Sequence, residues 1–217
     1  IGDATKAHIA DATPALMIAL AIFVIGFVTL LFTKIEEPEQ APVDISLVKG
    51  AMKYRHFVLG VIAIFLYMGV EVGTPTYILQ YLTSPEMGMD ASIVGLIVAV
   101  YWLMMLVGRF VGGAIGSKVS SRAMITTVSA ATLVLVAFGM FAPTSITVNV
   151  PGIDWANLNL IWAEVPVGIF AFLLVGLCTS VMWGGIFNMA VEGLGKYTAI
   201  ASGIFMTMVF EIGRASC

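Results

Sequence analysis

Six long apolar stretches, separated by short polar breaks, occupy almost the whole of this chain. Hydrophobic residues make up 60% of the sequence and charged residues 11%, whereas an average soluble domain has roughly 45–50% apolar and about 25% charged residues. A helix needs about 20 residues to cross the hydrocarbon core, where only helices and closed barrels satisfy their own backbone. We therefore predict an all-α polytopic membrane protein with six transmembrane helices. The predicted spans are Pro14–Thr33, Phe57–Leu82, Ala91–Gly116, Ala123–Phe141, Val167–Val191 and Thr198–Phe210.

Basic residues mark one side of this predicted topology. They lie between the first and second, third and fourth, and fifth and sixth spans, whereas the loops 83–90 and 142–166 contain no Lys or Arg. By the positive-inside rule the first span runs from outside to inside, and the chain alternates from there. The basic residues of these cytoplasmic connections are Lys34, Lys49, Lys53, Arg55, Lys118, Arg122 and Lys196.

The two longest connections have different compositions. Residues 36–42 are rich in Pro and Glu, which predicts an extended linker, and Asp44 can then cap a short helix at the cytoplasmic interface. On the outer side, residues 146–152 are β-prone and end in a turn signal. A small hairpin and an irregular cap are both compatible with this outer loop, with Trp155 and Trp162 at headgroup depth.

The sequence offers little for cofactor or enzyme chemistry. Cys178 lies within a span and Cys217 at the terminus, so no disulfide framework or Cys-rich metal site is predicted. His8 and His56 lie outside the spans. A membrane-embedded protease or lipid transferase would need a nucleophile–base pair or metal ligands at membrane depth. Since both histidines lie outside the spans, this class of enzyme is disfavoured. We predict no cofactor, no metal and no nucleic-acid partner.

The tail Glu211–Cys217 matches what a common sequencing-adapter DNA gives when it is translated in this frame. We therefore expect residues 211–217 to be a read-through artefact and give Glu211 no functional role.

Glu71 is an acid in the middle of the second span. An acid at that depth costs about 2.5–3.5 kcal/mol on insertion scales, so it should face a polar cavity or a partner, or be protonated. Gly69, Gly73 and Pro75 are expected to weaken the helix around it, and broken helices are where transporter sites form. A cavity-facing binding or coupling role and a structural hydrogen bond both remain open. The residues on one helical face with it are Tyr67, Thr74 and Ile78.

Trp183 and Asn188 are the candidate ligand contacts of the fifth span. An indole ring offers a flat apolar face on which a ligand ring can stack, and an amide offers both a hydrogen-bond donor and an acceptor. The two are about 140° apart on a helix, so they cannot both point straight into one cavity. Simple helix packing is the alternative for Trp183.

Arg109 lies near the cytoplasmic end of the third span and needs a carboxylate, a carbonyl cluster or a route to the interface. Glu192, at the cytoplasmic end of the fifth span, is a possible gate partner, although Lys196 at i+4 competes for it. An ordinary snorkelling Arg is the alternative.

The segment Gly113–Arg122 resembles the loop signature of the major facilitator superfamily, G-x-x-x-D-[RK]-x-G-[RK]-[RK]. Gly113, Lys118 and Arg122 match it, whereas serines replace the expected Asp, Gly and one basic residue. Two further segments resemble the fucose permease and glucose/galactose permease group of bacterial sugar symporters. The first is Gly69–Gly73, and the second is Met182–Asn188 leading into Glu192–Thr198.

The resemblance implies the sixth to eleventh of twelve helices. Residues 1–33 would then hold an extracellular segment and the last helix of the first half, 34–56 the central cytoplasmic linker, and 57–210 the truncated second half. It implies an inner-membrane sugar transporter that works by alternating access and that needs the missing first half and the lipid bilayer. The implied coupling ion is the proton, with sodium as the alternative. A drug efflux pump is the alternative within the superfamily. The predicted substrate-binding or coupling residues are Glu71, Tyr67, Thr74, Trp183 and Asn188, and the predicted gating residues are Arg109, Glu192, Lys118 and Arg122.

Overall fold

The computed structural model describes residues 9–34, 45–116, 118–154 and 159–215. These residues form seven α-helices, one short 3-10 turn (Gly195–Tyr197) and two strands. Their bounds are α1 Ile9–Phe32, α2 Ile45–Ala51, α3 Arg55–Leu82, α4 Ala91–Gly116, α5 Ser121–Phe141, β1 Thr147–Asp154, β2 Asn159–Pro166, α6 Val167–Val191 and α7 Thr198–Ala215.

All six predicted spans are helical. By length and composition, α3, α4, α5 and α6 can each cross a membrane, and Leu16–Phe32 within α1 is a shorter apolar helical stretch. The last predicted span continues beyond Phe210, because α7 extends to Ala215. Residues 211–215 of the tail therefore lie in the same helix, and their origin as an artefact stays a prediction.

The chain divides into two units. The first, residues 1–42, contains α1, whose described apolar side chains are mostly exposed. The second begins at Val43 and contains all the remaining elements. In this second unit α6 packs against α3, α4 and α5, while α3 also packs against α7.

Glycine permits the closest helix crossings around α6. A Cβ atom at Gly176 would lie 2.8 Å from the carbonyl oxygen of Tyr101 on α4. A Cβ atom at Gly108 would overlap the Ser180 hydroxyl on α6. Since small residues let the backbones of two helices approach in lipid, these positions set the α4–α6 distance.

Two apolar clusters hold the second unit together, one at each end of its helices. The hairpin end, named for β1 and β2, joins α3, α4 and α6. The α2 end, named for the short helix there, joins α2, α3, α6 and α7. The fully buried large side chains of these clusters include Tyr101, Ile78 and Leu82 at the hairpin end and Phe57, Ile64 and Phe205 at the α2 end.

The outer loop forms a hairpin and not the irregular cap that its sequence also allowed. Strands β1 and β2 pair antiparallel, from Thr147 opposite Pro166 to Asp154 opposite Asn159. Trp162 is exposed on this hairpin, and Trp155 lies outside the described residues. The predicted depth of both tryptophans in a membrane stays a prediction.

The predicted short helix before the second span is α2. It packs against α7 and the 3-10 turn, and Ala51 is fully buried there while Lys49 is exposed. Its position at a membrane interface stays a prediction. The expected linker 36–42 and the expected cap Asp44 lie outside the described residues.

Asp90 starts α4. Its carboxylate accepts hydrogen bonds from the hydroxyl and the backbone N–H of Ser92, the latter at 2.8 Å, as an N-cap side chain does. These bonds, the hydroxyl bond first, hold the pKa of the Asp90 carboxyl below its usual value.

We expect Gly108→Ala to lower the thermal unfolding midpoint of the detergent-solubilised protein. The added methyl overlaps Ser180 on α6, and overpacking of this kind costs about 1–3 kcal/mol. Gly95→Ala on the same helix is the matched control, because a Cβ atom there meets nothing within 4 Å. In that control the better helix propensity of Ala should leave the midpoint unchanged or raise it. Equal midpoints for the two variants would contradict this account of the α4–α6 crossing.

Candidate functional site

Pro75 lies inside α3 and leaves one backbone carbonyl without its helical partner. A proline has no N–H, so the oxygen four residues before it, that of Glu71, loses its intrahelical hydrogen bond. The Tyr101 hydroxyl on α4 donates a hydrogen bond of 3.0 Å to this same oxygen. Tyr101 is fully buried. A side chain of α4 therefore satisfies the backbone of α3 at the residue that carries the intramembrane acid.

The helix is weakened in sequence but not broken near Glu71, because α3 runs without interruption from Arg55 to Leu82. The Tyr101 bond supplies the donor that Pro75 lacks. The hydroxyls of Thr74 and Thr76 also bond back to the carbonyl oxygens of Val70 and Val72, at 2.7 and 2.8 Å. Both threonine hydroxyls therefore find their hydrogen-bond acceptors within their own helix.

The Glu71 carboxylate forms an ion pair with Arg109 of α4, with 3.6 Å between the Arg109 Nη2 and Glu71 Oε1 atoms. The Glu71 side chain is 10% exposed, whereas that of Arg109 is 59% exposed. Arg109 also contacts the Met105 sulfur at 3.6 Å. A pair that is this long and this exposed on the cationic side is weakly held.

The expected partner of Arg109 was Glu192, and the structure pairs Arg109 with Glu71 instead. The Arg109 guanidinium lies near Met105, which is one helical turn earlier in α4, and so it does not reach the end of that helix. Glu192 is exposed just after α6, where its backbone oxygen lies 2.9 Å from the His56 Nε2 atom. A gating role for either residue stays a prediction.

Glu71, Arg109 and Trp183 line one cavity of about 560 Å³, which lies within the range of about 300–1,000 Å³ that is typical of small-molecule sites. We call it the central cavity. The Trp183 ring stacks on Phe187, with 5.6 Å between the ring centres, and this stacking limits its orientations. The remaining lining residues are Met68, Ser180, Gly184 and Val209.

The structure does not bring the other predicted binding residues into the central cavity. Tyr67 lines a separate cavity among α3, α5 and α6. Its buried hydroxyl lies near Glu71 but makes no hydrogen bond of good geometry with any described residue. Thr74 lines another cavity, with Val136 of α5. Asn188 lines a further cavity beside Arg109, which agrees with its angular distance from Trp183.

Lys118 lies in the turn between α4 and α5, Arg122 lies in the first turn of α5, and both are exposed. In the part of the chain that the structure describes, neither forms a salt bridge. Their predicted gating role therefore rests on the loop resemblance alone. Among the same residues, no group of three His, Cys, Asp or Glu side chains could hold a metal ion.

Sequence reasoning missed Tyr101 and Ser180. Pro75 is the available signal for Tyr101, because a proline in a span implies that some donor must serve the carbonyl four residues earlier. The sequence alone does not say which neighbouring helix supplies that donor. Ser180 gives no comparable signal, since its place beside Arg109 follows from the α4–α6 crossing.

Comparison with known proteins gives a consistent result. The family described as Major Facilitator Superfamily matches residues 7–216. The glucose/galactose transporter of Brucella abortus is 32% identical over 93% of this chain and 45% of its own length. A putative glucose/galactose transporter of Helicobacter pylori is 25% identical over 90% of this chain and 44% of its own length. No solved structure gives a significant match.

The chain therefore spans about half the length of the curated relatives that it matches. The predicted resemblance to sugar permeases is confirmed, and so is the predicted fold class, a polytopic helical membrane protein.

We expect Tyr101→Phe to destabilise the protein, because it leaves the Glu71 carbonyl buried without a donor, at a cost of about 1–3 kcal/mol. Pro75→Ala restores the N–H that this carbonyl lacks. Tyr101→Phe should therefore cost much less in a Pro75→Ala background than in the wild type. The measurement is a double-mutant cycle of thermal unfolding midpoints. Purely additive effects would show that the hydroxyl does not replace the missing backbone donor.

Proposed function

Because the chain belongs to the Major Facilitator Superfamily, we propose that the complete protein is a secondary active transporter of a monosaccharide of the glucose, galactose or fucose type. It works in the bacterial inner membrane by alternating access, and the chain's role is to bind and move the sugar without chemical change. The names of the relatives from Brucella abortus and Helicobacter pylori support this substrate class.

The observation that carries the proposal is that a carboxylate, a guanidinium and an indole share the central cavity. Glu71 and Arg109 supply hydrogen-bonding groups for sugar hydroxyls, while the face of Trp183 supplies a stacking surface for the sugar C–H groups. The Ser180 hydroxyl lies on the same wall. A few polar groups in a mostly apolar cavity fit a neutral, hydroxyl-rich ligand.

Glu71 is the group that we propose takes up the coupling proton. It is the acid that lies within a span of the described chain and faces a cavity, and such acids form the proton relays of transporters. When the carboxylate is protonated, it no longer attracts the Arg109 guanidinium, which is already loosely held at 3.6 Å. Protonation can therefore change the wall of the central cavity. Sodium is the alternative coupling ion.

The α2 end is the cytoplasmic end in this proposal. Lys49, Lys118, Arg122 and Lys196 belong to connections at that end, as the positive-inside rule expects. The hairpin end then faces outward. Arg109 lies between the middle of α4 and its cytoplasmic end.

No feature of the described residues favours the two alternatives over sugar transport. A drug efflux pump remains the alternative within the family, and uptake assays separate it from a sugar carrier. The enzyme alternative gains no support from the named relatives, which are transporters.

We expect Glu71→Gln to abolish protonophore-sensitive accumulation of labelled glucose or galactose by cells that express the complete gene and lack their own carriers. Sugar exchange across the membrane at equal concentrations should persist, because it needs no net proton movement. The matched control is Glu86→Gln, an exposed acid in the loop after α3, and it should accumulate sugar normally. Normal accumulation by Glu71→Gln would remove Glu71 from the coupling step. If the well-expressed wild type carries no sugar, the proposed function fails.

We expect Trp183→Ala to raise the KM for sugar roughly 2–13-fold, because it removes an aromatic contact that contributes about 0.5–1.5 kcal/mol. Trp183→Phe should keep most of the affinity, since it retains a stacking face. Trp102→Ala is the control, because Trp102 lies on α4 away from the central cavity. An unchanged KM for Trp183→Ala would assign Trp183 to helix packing.

A further inference from the structure

A second cavity lies beside the central cavity, toward the turn between α4 and α5. Its volume is about 360 Å³, which is still within the range of about 300–1,000 Å³ of small-molecule sites. We call it the Asn188 cavity. Its walls come from the last turns of α4, the first turn of α5 and the second half of α6, and include Gly112, Gly113, Gly116, Ser121, Met124 and Asn188.

The two cavities share a wall. Arg109, Ser180 and Gly184 line both of them. On the central side the Arg109 guanidinium is held by Glu71 at 3.6 Å. At Gly184 an added Cβ atom would meet nothing within 4 Å, so the glycine leaves open space at the boundary. The Ser180 hydroxyl bonds to the Leu177 carbonyl of its own helix at 2.6 Å, whereas the Arg109 side chain is long and mostly exposed. Arg109 is therefore the movable part of the wall.

The Asn188 cavity offers hydrogen-bonding groups that no other described residue uses. The Asn188 amide and the Ser121 hydroxyl line it, and neither makes a hydrogen bond within the described chain. An amide has two donors and an acceptor and a hydroxyl has one donor and two lone pairs, a set that matches a sugar's hydroxyls. Arg109 supplies the cationic donor at the boundary.

Glycine keeps this cavity open. An added Cβ atom at Gly113 or Gly116 meets nothing within 4 Å, whereas one at the neighbouring Gly112 would overlap Val181 of α6. The first two glycines therefore face free space, and only the third is needed for helix packing. A larger side chain at Gly113 would enter the cavity without disturbing the α4–α6 contact.

We propose that the Asn188 cavity is a second sugar subsite on the cytoplasmic side, and that Arg109 is the partition through which sugar passes from the central cavity. This inference rests on the proposed function. Sugar first occupies the central cavity beside Trp183. Once Arg109 leaves Glu71, the sugar moves to Asn188 and Ser121 and from there to the cytoplasm. Asn188 thus acts after Trp183 on the same path.

Gly113→Leu in the complete transporter tests this subsite by filling it. Equilibrium binding of labelled galactose to the purified protein should stay within about twofold of wild type, because the central cavity is unchanged. Galactose transport in proteoliposomes should fall at least tenfold. Gly95→Leu is the matched control on the same helix, since a Cβ atom there also meets open space, and it should transport normally.

A second variant keeps the test decisive if Gly113→Leu does not fold. In a cysteine-free background of the complete transporter, Asn188→Cys should react with a membrane-impermeant maleimide in inside-out vesicles, and saturating galactose should slow that reaction several-fold. Val119→Cys, in the turn outside the cavity, should react at the same rate with and without sugar.

The outcomes separate the two proposals. In two cases the subsite is refuted while the proposed function stands, provided that wild type transports galactose. In the first, Gly113→Leu transports galactose as fast as Gly95→Leu. In the second, galactose does not protect Asn188→Cys from the maleimide. Equal loss of binding and transport in Gly113→Leu also refutes a separate subsite. If wild type neither binds nor transports any sugar, the proposed function fails and this inference fails with it.

Discussion

A backbone carbonyl inside a membrane needs a hydrogen-bond donor, and the Glu71 carbonyl cannot obtain one from its own helix. Pro75 removes the helical N–H, and the buried Tyr101 hydroxyl replaces it from α4. This bond ties α3 to α4 at the residue whose carboxylate reaches Arg109. The position of the central cavity depends on that tie, because Glu71 carries the bonded carbonyl and Arg109 lies about two turns after Tyr101 on the same helix.

The second constraint is the close approach of α4 and α6. Gly108 and Gly176 allow it, since a side chain at either position would overlap the opposite helix. At other glycines of the same helices, Gly113 and Gly184, an added Cβ atom would meet nothing within 4 Å, so these positions leave space. Glycine therefore has two opposite effects along the α4–α6 interface. It brings the helices together near the hairpin end and in the middle, and it leaves the Asn188 cavity open toward the α4–α5 turn.

About half of the candidate site could be predicted from the sequence. Glu71 was identifiable because a charged side chain at membrane depth is costly unless it faces a cavity or a partner. Trp183 was identifiable because an indole ring offers a flat stacking face. Tyr67 and Thr74 were predicted from a shared helical face, yet they line other cavities. A face spans about a third of a helix and meets more than one neighbour in a bundle. The partner of Arg109 was misjudged because sequence position places it only along its own helix.

The sequence by itself determined that this is a membrane protein, where its helices lie, and that the outer loop could pair as a hairpin. These properties follow from the length of apolar segments and from local turn chemistry, which do not depend on distant residues. Only the tertiary structure decided that Tyr101 serves the Glu71 carbonyl, that Arg109 faces Glu71, and that Trp183 and Asn188 line adjoining cavities. Each of these depends on which helices are neighbours and how closely they cross, and that is set by packing between segments far apart in the chain.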